Sequence, residues 1–159
     1  MHSKKRLQFL ELKIPPLALV VITATGMWAI AQRVAALHFS LPGAAWLSAA
    51  LAIVGSAIAV AGVAEFRKAG TTVDPRVPGQ SAHLVAGGVY CYSRNPMYVG
   101  FLFILCGWGV FLGSALALVG IPAFVACLNR LQIAPEERAM REKFGASYTR
   151  YASAVRRWL

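Results

Sequence analysis

Three blocks of apolar residues, at positions 14–31, 44–64 and 97–128, limit what this chain can fold into more than anything else in it. An apolar helix of about 20 residues crosses the roughly 30 Å hydrocarbon core of a bilayer, where every backbone amide and carbonyl must find its partner within the protein. The blocks reach that length and lack the regular apolar and polar alternation of a soluble domain. With 58% of the 159 residues hydrophobic and 14% charged, polar chemistry is confined to the segments between blocks. The expected fold is an all-α integral membrane protein forming one compact domain. It has an N-terminal pair of transmembrane helices (residues 1–65) and a C-terminal region (66–159) that carries the polar motifs.

The third block is too long for one span. Its 32 residues would make a helix of about 48 Å. Gly113 and Ser114, with Gly107 and Gly109 before them and Gly120 and Pro122 after, mark a place to turn, so the block is read as a tight hairpin and the chain as four transmembrane helices. Charge placement agrees. Of the 16 Lys and Arg, four precede residue 14, four lie between the second and third blocks, seven follow residue 128, and only Arg33 falls between the first two blocks. Four spans put 15 of the 16 on one face, as the positive-inside rule expects of the cytosol. Both termini and the polar motifs are then cytosolic, in a membrane of bacterial inner-membrane type. Lys4, Lys5 and Arg6, followed by an apolar run ending at Ala29-Ile30-Ala31, resemble a signal peptide. The run exceeds the usual h-region of about 7 to 15 residues, so an uncleaved anchor is expected.

The net charge of +10 borders membrane spans with no base-reading motif beside it, which points to anionic headgroups and away from nucleic acid. Cys91, Cys106 and Cys127 form no CxxC pair, and His2, His38 and His83 are too scattered for a metal site.

Three polar segments remain. Residues 66–80 are rich in Gly, Pro and Thr and lose all periodicity, as a cytosolic loop does. In the second segment, His83, Leu84 and Val85 lead through Gly87, Gly88 and Tyr90 to Arg94, Asn95, Pro96, Met97, Tyr98 and Gly100, where the third block begins. Pro96 suits the first turn of a helix, whose unpaired amides and positive dipole end can receive an anionic group such as a carboxylate. An interfacial anchor of aromatic rings and Arg is the equal alternative. The third segment follows the last span. Pro135 with Glu136 and Glu137 reads as a helix start, and Met140, Phe144, Tyr148, Tyr151, Val155 and Trp158 recur at helical spacing. An amphipathic helix through Trp158, lying on the membrane or over a cytosolic site, is expected. Glu136 and Glu137 are either dipole residues of that helix or ligand carboxylates; the chain has only six acids, and these two are adjacent at a membrane exit.

The ordered set of Gly88-x-Tyr90, Arg94-Asn95-Pro96-Met97-Tyr98-x-Gly100, a helical hairpin, Glu136-Glu137 and Phe144-Gly145-x-x-Tyr148-x-x-Tyr151 resembles the isoprenylcysteine carboxyl methyltransferase and phospholipid methyltransferase superfamily. The resemblance covers about residues 66–159, with Asn95 where many members have His. It implies an S-adenosyl-L-methionine-dependent methyltransferase whose cofactor enters from the cytosol while a lipophilic acceptor approaches from the membrane. Carried over by position, Ala82, His83, Leu84, Val85, Tyr90, Asn95, Pro96, Met97, Tyr98 and Glu136 match cofactor-contacting residues. Arg94 and Glu137 match the catalytic motif. Gln132 aligns with a substrate-binding arginine of the prenylcysteine enzymes, and nearby Arg130 is the alternative substrate contact.

The chemistry is compatible with the residues. Methyl transfer from a sulfonium is an in-line displacement, so a protein must chiefly align donor and acceptor and exclude water. A carboxylate acceptor needs no base; for an amine or thiol acceptor, Glu137 is the nearest candidate. Two other readings compete. Membrane sterol reductases share the architecture and bind a nicotinamide cofactor, but their motif has an acid after the final glycine, where this chain has Phe101. A non-enzymatic membrane scaffold or lipid-binding protein is the other. Acceptor identity and oligomeric state are not fixed by the sequence, since Gly55, Ala59 and Gly62 could pack helices within or between chains.

Overall fold

The computed structural model describes residues 11–34, 37–70 and 83–159. Among these the secondary structure is helical: α1 (Pro16–Arg33), α2 (Ala44–Lys68), α3 (Pro96–Leu112), α4 (Gly120–Leu128) and α5 (Ala134–Ala154). Short 3₁₀ turns occupy Gly88–Cys91 and Ala117–Val119, and a π-helical turn spans Asn129–Ile133. By length and composition α1, α2 and the run from Ala117 into α5 can each cross a membrane, and α3 is a shorter apolar helix. The all-α membrane architecture therefore stands. Large apolar side chains with no protein partner, such as Trp46 (83% exposed) and Ile53 (70%), face outward as lipid-facing residues do.

The turn at the end of α3 is made by Gly113, which takes φ +57 and caps the helix in the left-handed region that glycine enters without strain. A Cβ there would also stand 2.7 Å from the Phe39 carbonyl oxygen. The segment joining α1 and α2 crosses this tip. Phe39 N–H donates to Gly113 O at 2.8 Å, and Ala115 N–H donates to Leu37 O at 2.9 Å. The neighbouring glycines, expected as part of the turn, have another task. Gly109 and Gly120 flank Met27 of α1, and side chains at either position would collide with it or its surroundings. Trp108 Nε1 donates to Ala24 O at 3.0 Å, adding a polar tie between α1 and α3.

Gly55 and Gly62 of α2 face α3 of the same chain. A Cβ on Gly55 would lie 2.5 Å from the Gly100 carbonyl oxygen, and one on Gly62 would lie 2.7 Å from Met97 Cγ. Gly107 meets the Ser48 carbonyl in the same way, so α2 and α3 run antiparallel with backbones in contact along a seam of small residues. This seam, with the Gly113 turn, sets the start of α3 beside the end of α2.

The C-terminal part departs from expectation twice. No break separates the last span from the polar helix, and the helical run passes from α4 through the π turn into α5. Pro135 lacks the amide that would bond the Leu131 carbonyl one turn back. That carbonyl instead accepts Leu12 N–H from the N-terminal segment, at 3.0 Å. The second departure corrects the expected amphipathic helix through Trp158. At Gly145 the backbone takes φ +51 and ψ −122, a conformation reserved for glycine that kinks α5, and the helix ends at Ala154. Val155 is extended, so Val155 and Trp158 belong to a tail that returns toward the start of α3.

Candidate functional site

The returning tail builds the floor of the site. Arg94 N–H donates to Arg156 O at 2.9 Å, and the Asn95 side-chain amide donates to Arg157 O at 2.8 Å. Ser93 Oγ donates to Arg157 O at 3.3 Å while accepting from Asn95 N–H at 3.1 Å. Trp158 Nε1 reaches Asn129 Oδ1 at 3.2 Å and fixes the tail's end to the π turn. The amides that were to make the start of α3 an open anion site are thus largely engaged. Pro96 has none, and the Tyr98 and Val99 amides both bond the Asn95 carbonyl at 3.0 Å.

Above this floor stand two carboxylates with different partners. Glu137 is 5% exposed and is held by arginines. Arg157 Nη2 lies 2.7 Å from Oε2 and Nε lies 3.0 Å from Oε1, a two-pronged pairing, while Arg94 Nη2 is 3.3 Å from Oε1. Arg141 stands 3.9 Å away. Such geometry occupies most of the carboxylate's lone pairs and leaves few for other work.

Glu136, one residue earlier, accepts the Tyr98 hydroxyl at 2.6 Å and no other side chain among the described residues. Part of the residue is exposed, but its carboxyl group is enclosed by protein. Burial pushes that carboxyl up to about 8, Glu137 adds to the rise, and the Tyr98 hydrogen bond opposes it.

Tyr90 completes the cluster. Its ring is 4% exposed and meets Phe66 edge-on at 5.4 Å, and its backbone carbonyl accepts the Tyr151 hydroxyl at 2.8 Å. The Tyr90 hydroxyl itself is buried and has no hydrogen-bond partner among the described residues. Burial raises its pKa well above the ordinary tyrosine range, with Tyr151, Glu136 and Glu65 acting in the same direction. The phenol is a neutral, unpartnered donor within electrostatic reach of Glu136 and Glu65.

The structure therefore brings together Tyr90, Arg94, Asn95, Pro96, Met97, Tyr98, Glu136 and Glu137. His83, Leu84 and Val85 form an irregular segment leading to the Tyr90 turn, with His83 exposed. Ala82 lies outside the described residues. Arg130 and Gln132 are committed elsewhere: Arg130 Nη1 pairs with Glu11 Oε1 at 2.5 Å, and Gln132 donates to the Ile14 carbonyl. Gln132 is fully buried, and its Oε1 has no partner.

Sequence reasoning missed Arg157, Glu11 and Glu65. Glu65 carried a usable signal, as an acid ending an apolar block beside a membrane. The other two depend on chain ends folding back, which no local pattern announces. Among the described residues no group of His, Cys, Asp and Glu could hold a metal ion.

Residues 43–147 match the family described as phospholipid methyltransferase. The chain belongs to that family. The match covers the small-residue seam, the hairpin and the Glu136-Glu137 pair together, and it establishes a membrane methyltransferase in general terms. A protein of Haemophilus influenzae (strain ATCC 51907 / DSM 11121 / KW20 / Rd), described as uncharacterized, is 46% identical over 63 residues, which are 40% of this chain and 100% of that protein. No solved structure matches.

Proposed function

We propose that this family member is an S-adenosyl-L-methionine-dependent methyltransferase acting on a lipophilic acceptor at the cytosolic face of a membrane. The observation that carries the reading is the Tyr98–Glu136 hydrogen bond beside the unpartnered Tyr90 hydroxyl, at the boundary where α2 ends and α3 begins. The residues fit the cofactor. A carboxylate, a phenol donor and apolar rings suit its ammonium and ribose groups and its adenine, and the acids suit its positive charge. The cofactor supplies an activated methyl group on a sulfonium.

The chain's own residues align and enclose. Tyr90 and Glu136 bind polar groups of the donor, with His83, Leu84 and Val85 and the Asn95-to-Tyr98 turn at its edge. Ala82 is included in that binding segment by position. Arg94 and Glu137 hold the start of α3 against α5 and the tail. Glu137, already paired with the Arg157 and Arg94 guanidiniums, has few lone pairs free, so its role is positioning. The acceptor reaches the site from the bilayer with a nucleophilic lone pair already available, as a carboxylate, a neutral amine or a thiolate. Phospholipid amines and isoprenoid or other hydrophobic thiols and carboxylates all qualify. Arg130 and Gln132 are assigned to the acceptor by position alone; Arg130 is engaged by Glu11, and the buried, unpartnered Gln132 Oε1 can still receive a donor.

Calorimetry on the purified chain in detergent tests this reading. S-adenosylmethionine or its demethylated product should bind with micromolar affinity, about −8 kcal/mol. Glu136→Ala and Tyr98→Ala should both weaken it. Binding of NADPH in place of either ligand would move the chain to the reductase reading, and binding of none would leave a scaffold.

A further inference from the structure

One carboxylate outside the recognised motifs faces the same place. Glu65 lies in the last turn of α2, and its carboxyl group rests against the backbone of Gly88, two residues before Tyr90. A Cβ on Gly88 would stand 2.6 Å from Glu65 Cδ and 2.8 Å from Oε1, so any other residue would push the carboxylate away. Lys68 bonds Glu65 Oε1 at 2.8 Å, but Lys68 is 72% exposed, and an ion pair of that kind is worth little and exchanges readily. Glu136 reaches the same neighbourhood from α5. The Tyr90 hydroxyl is buried without a partner, and both carboxylates act on it electrostatically. A buried hydroxyl left unpaired is costly, so this donor belongs to a ligand.

We propose that Glu65 selects charge at this site: with Glu136 it makes the pocket beside Tyr90 hold a cationic methyl donor in preference to the spent, sulfur-neutral product. This inference rests on the methyltransferase reading above. In the transfer the acceptor's lone pair forms a bond to the methyl carbon, and the carbon–sulfur bond breaks with its electron pair left on sulfur. The donor thereby loses its methyl group and one positive charge, and the rest of the molecule is unchanged. A carboxylate that attracts the sulfonium form loses that attraction once transfer is complete. Glu65 therefore favours loading of donor and release of product. Glu137 contributes nothing of this kind, because Arg94 and Arg157 neutralise it.

The test compares affinities for S-adenosylmethionine and S-adenosylhomocysteine, measured by calorimetry on the full chain in detergent at pH 8.5. Glu65→Gln should weaken the methyl donor about tenfold, the scale of one lost charge near a protein surface, and the product by less than about twofold. Glu65→Asp should hold the donor-to-product ratio near the native one. Lys68→Met, which removes the competing cation, should raise donor affinity alone. Equal weakening of both ligands in Glu65→Gln would mark a structural role and overturn the proposal. An unchanged ratio would overturn it too, while leaving the methyltransferase reading intact. Native protein that binds neither ligand would overturn both readings. Should Glu65→Gln lack a cooperative melting transition, the Lys68→Met result decides, and unchanged donor affinity there would refute the inference.

Discussion

Replacing Tyr98 by phenylalanine removes one hydroxyl and perturbs the charge at the centre of the site. In the native chain that hydroxyl donates to Glu136 Oε1 at 2.6 Å and is the influence that keeps the carboxyl from rising above about 8. A cationic ligand binds the ionised carboxyl, so below about pH 8 binding must expel a proton. Affinity then rises with pH, by at most about tenfold per unit, and levels off above the carboxyl's pKa. A hydrogen bond to a charged group is worth about 1.5–3 kcal/mol. Losing it moves the inflection upward by about one to two units, since one unit is about 1.4 kcal/mol. At pH 7.5 the variant should bind S-adenosylmethionine about 10- to 100-fold more weakly, with the deficit shrinking as pH rises. Calorimetry from pH 6.5 to 9.5 in buffers of different ionisation enthalpy measures both the affinity and the proton released. Identical inflections in native and variant protein, or an affinity flat across this range, would refute the reasoning. For folding the sign is opposite. A carboxyl raised from 4.5 binds its proton more tightly in the folded chain, so this stabilisation is complete below pH 4.5 and is lost as pH climbs through about 8.

Three further outcomes test the framework around the site. Arg157→Ala removes the two-pronged partner of Glu137 and should cost about 1–2 kcal/mol, less than a fully buried pair because the guanidinium is 37% exposed, read as a lower melting temperature in detergent. Gly55→Ala places a Cβ against the Gly100 carbonyl and should cost about 1–3 kcal/mol by forcing α2 from α3, whereas Gly26→Ala, with no atom near its Cβ, should melt like the native chain. Reporter fusions after Gly113 should report the outside of the membrane and those after Leu159 the cytosol; an outside C-terminus would sink the four-span arrangement.

The spans were legible because apolar length leaves few alternatives in a bilayer, and the hairpin was legible because one glycine with positive φ sits where an overlong block must turn. Gly107, Gly109 and Gly120 look the same in sequence as Gly113. Only the approach of Met27 and of the Ser48 carbonyl separates packing glycines from the turning one. Helical spacing carried the expected C-terminal helix to Trp158 because periodicity counts side chains and is blind to a single backbone torsion at Gly145. In the site, the acids and tyrosines of contiguous motifs were visible, and the partners that distinguish them were not. Glu136 and Glu137 are indistinguishable as a dipeptide. The difference between them comes from Arg157, twenty residues along and beyond a kink, and from Tyr98 on another helix.

That difference changes what the site selects. Without the tail, the start of α3 would be the natural receiver for an anion, since free amides and a dipole end attract negative charge. The tail carbonyls of Arg156 and Arg157 occupy donors of Ser93, Arg94 and Asn95, and the Asn95 carbonyl takes the Tyr98 and Val99 amides. At the other end of the chain, Glu11 pairs with Arg130 and Arg138, and Leu12 satisfies the carbonyl freed by Pro135. The contacts to the Ser93, Arg94 and Asn95 donors and to the Arg130 and Arg138 guanidiniums engage groups that would otherwise have favoured a negatively charged ligand. Arg94 and Arg157 are likewise spent on Glu137. Among the described residues, the acids that remain near Tyr90 are Glu136, which accepts the Tyr98 hydroxyl, and Glu65, which pairs with an exposed lysine. A site assembled this way favours positive charge, as a sulfonium donor requires, and it does so only while both ends of the chain stay folded against the π turn and the start of α3.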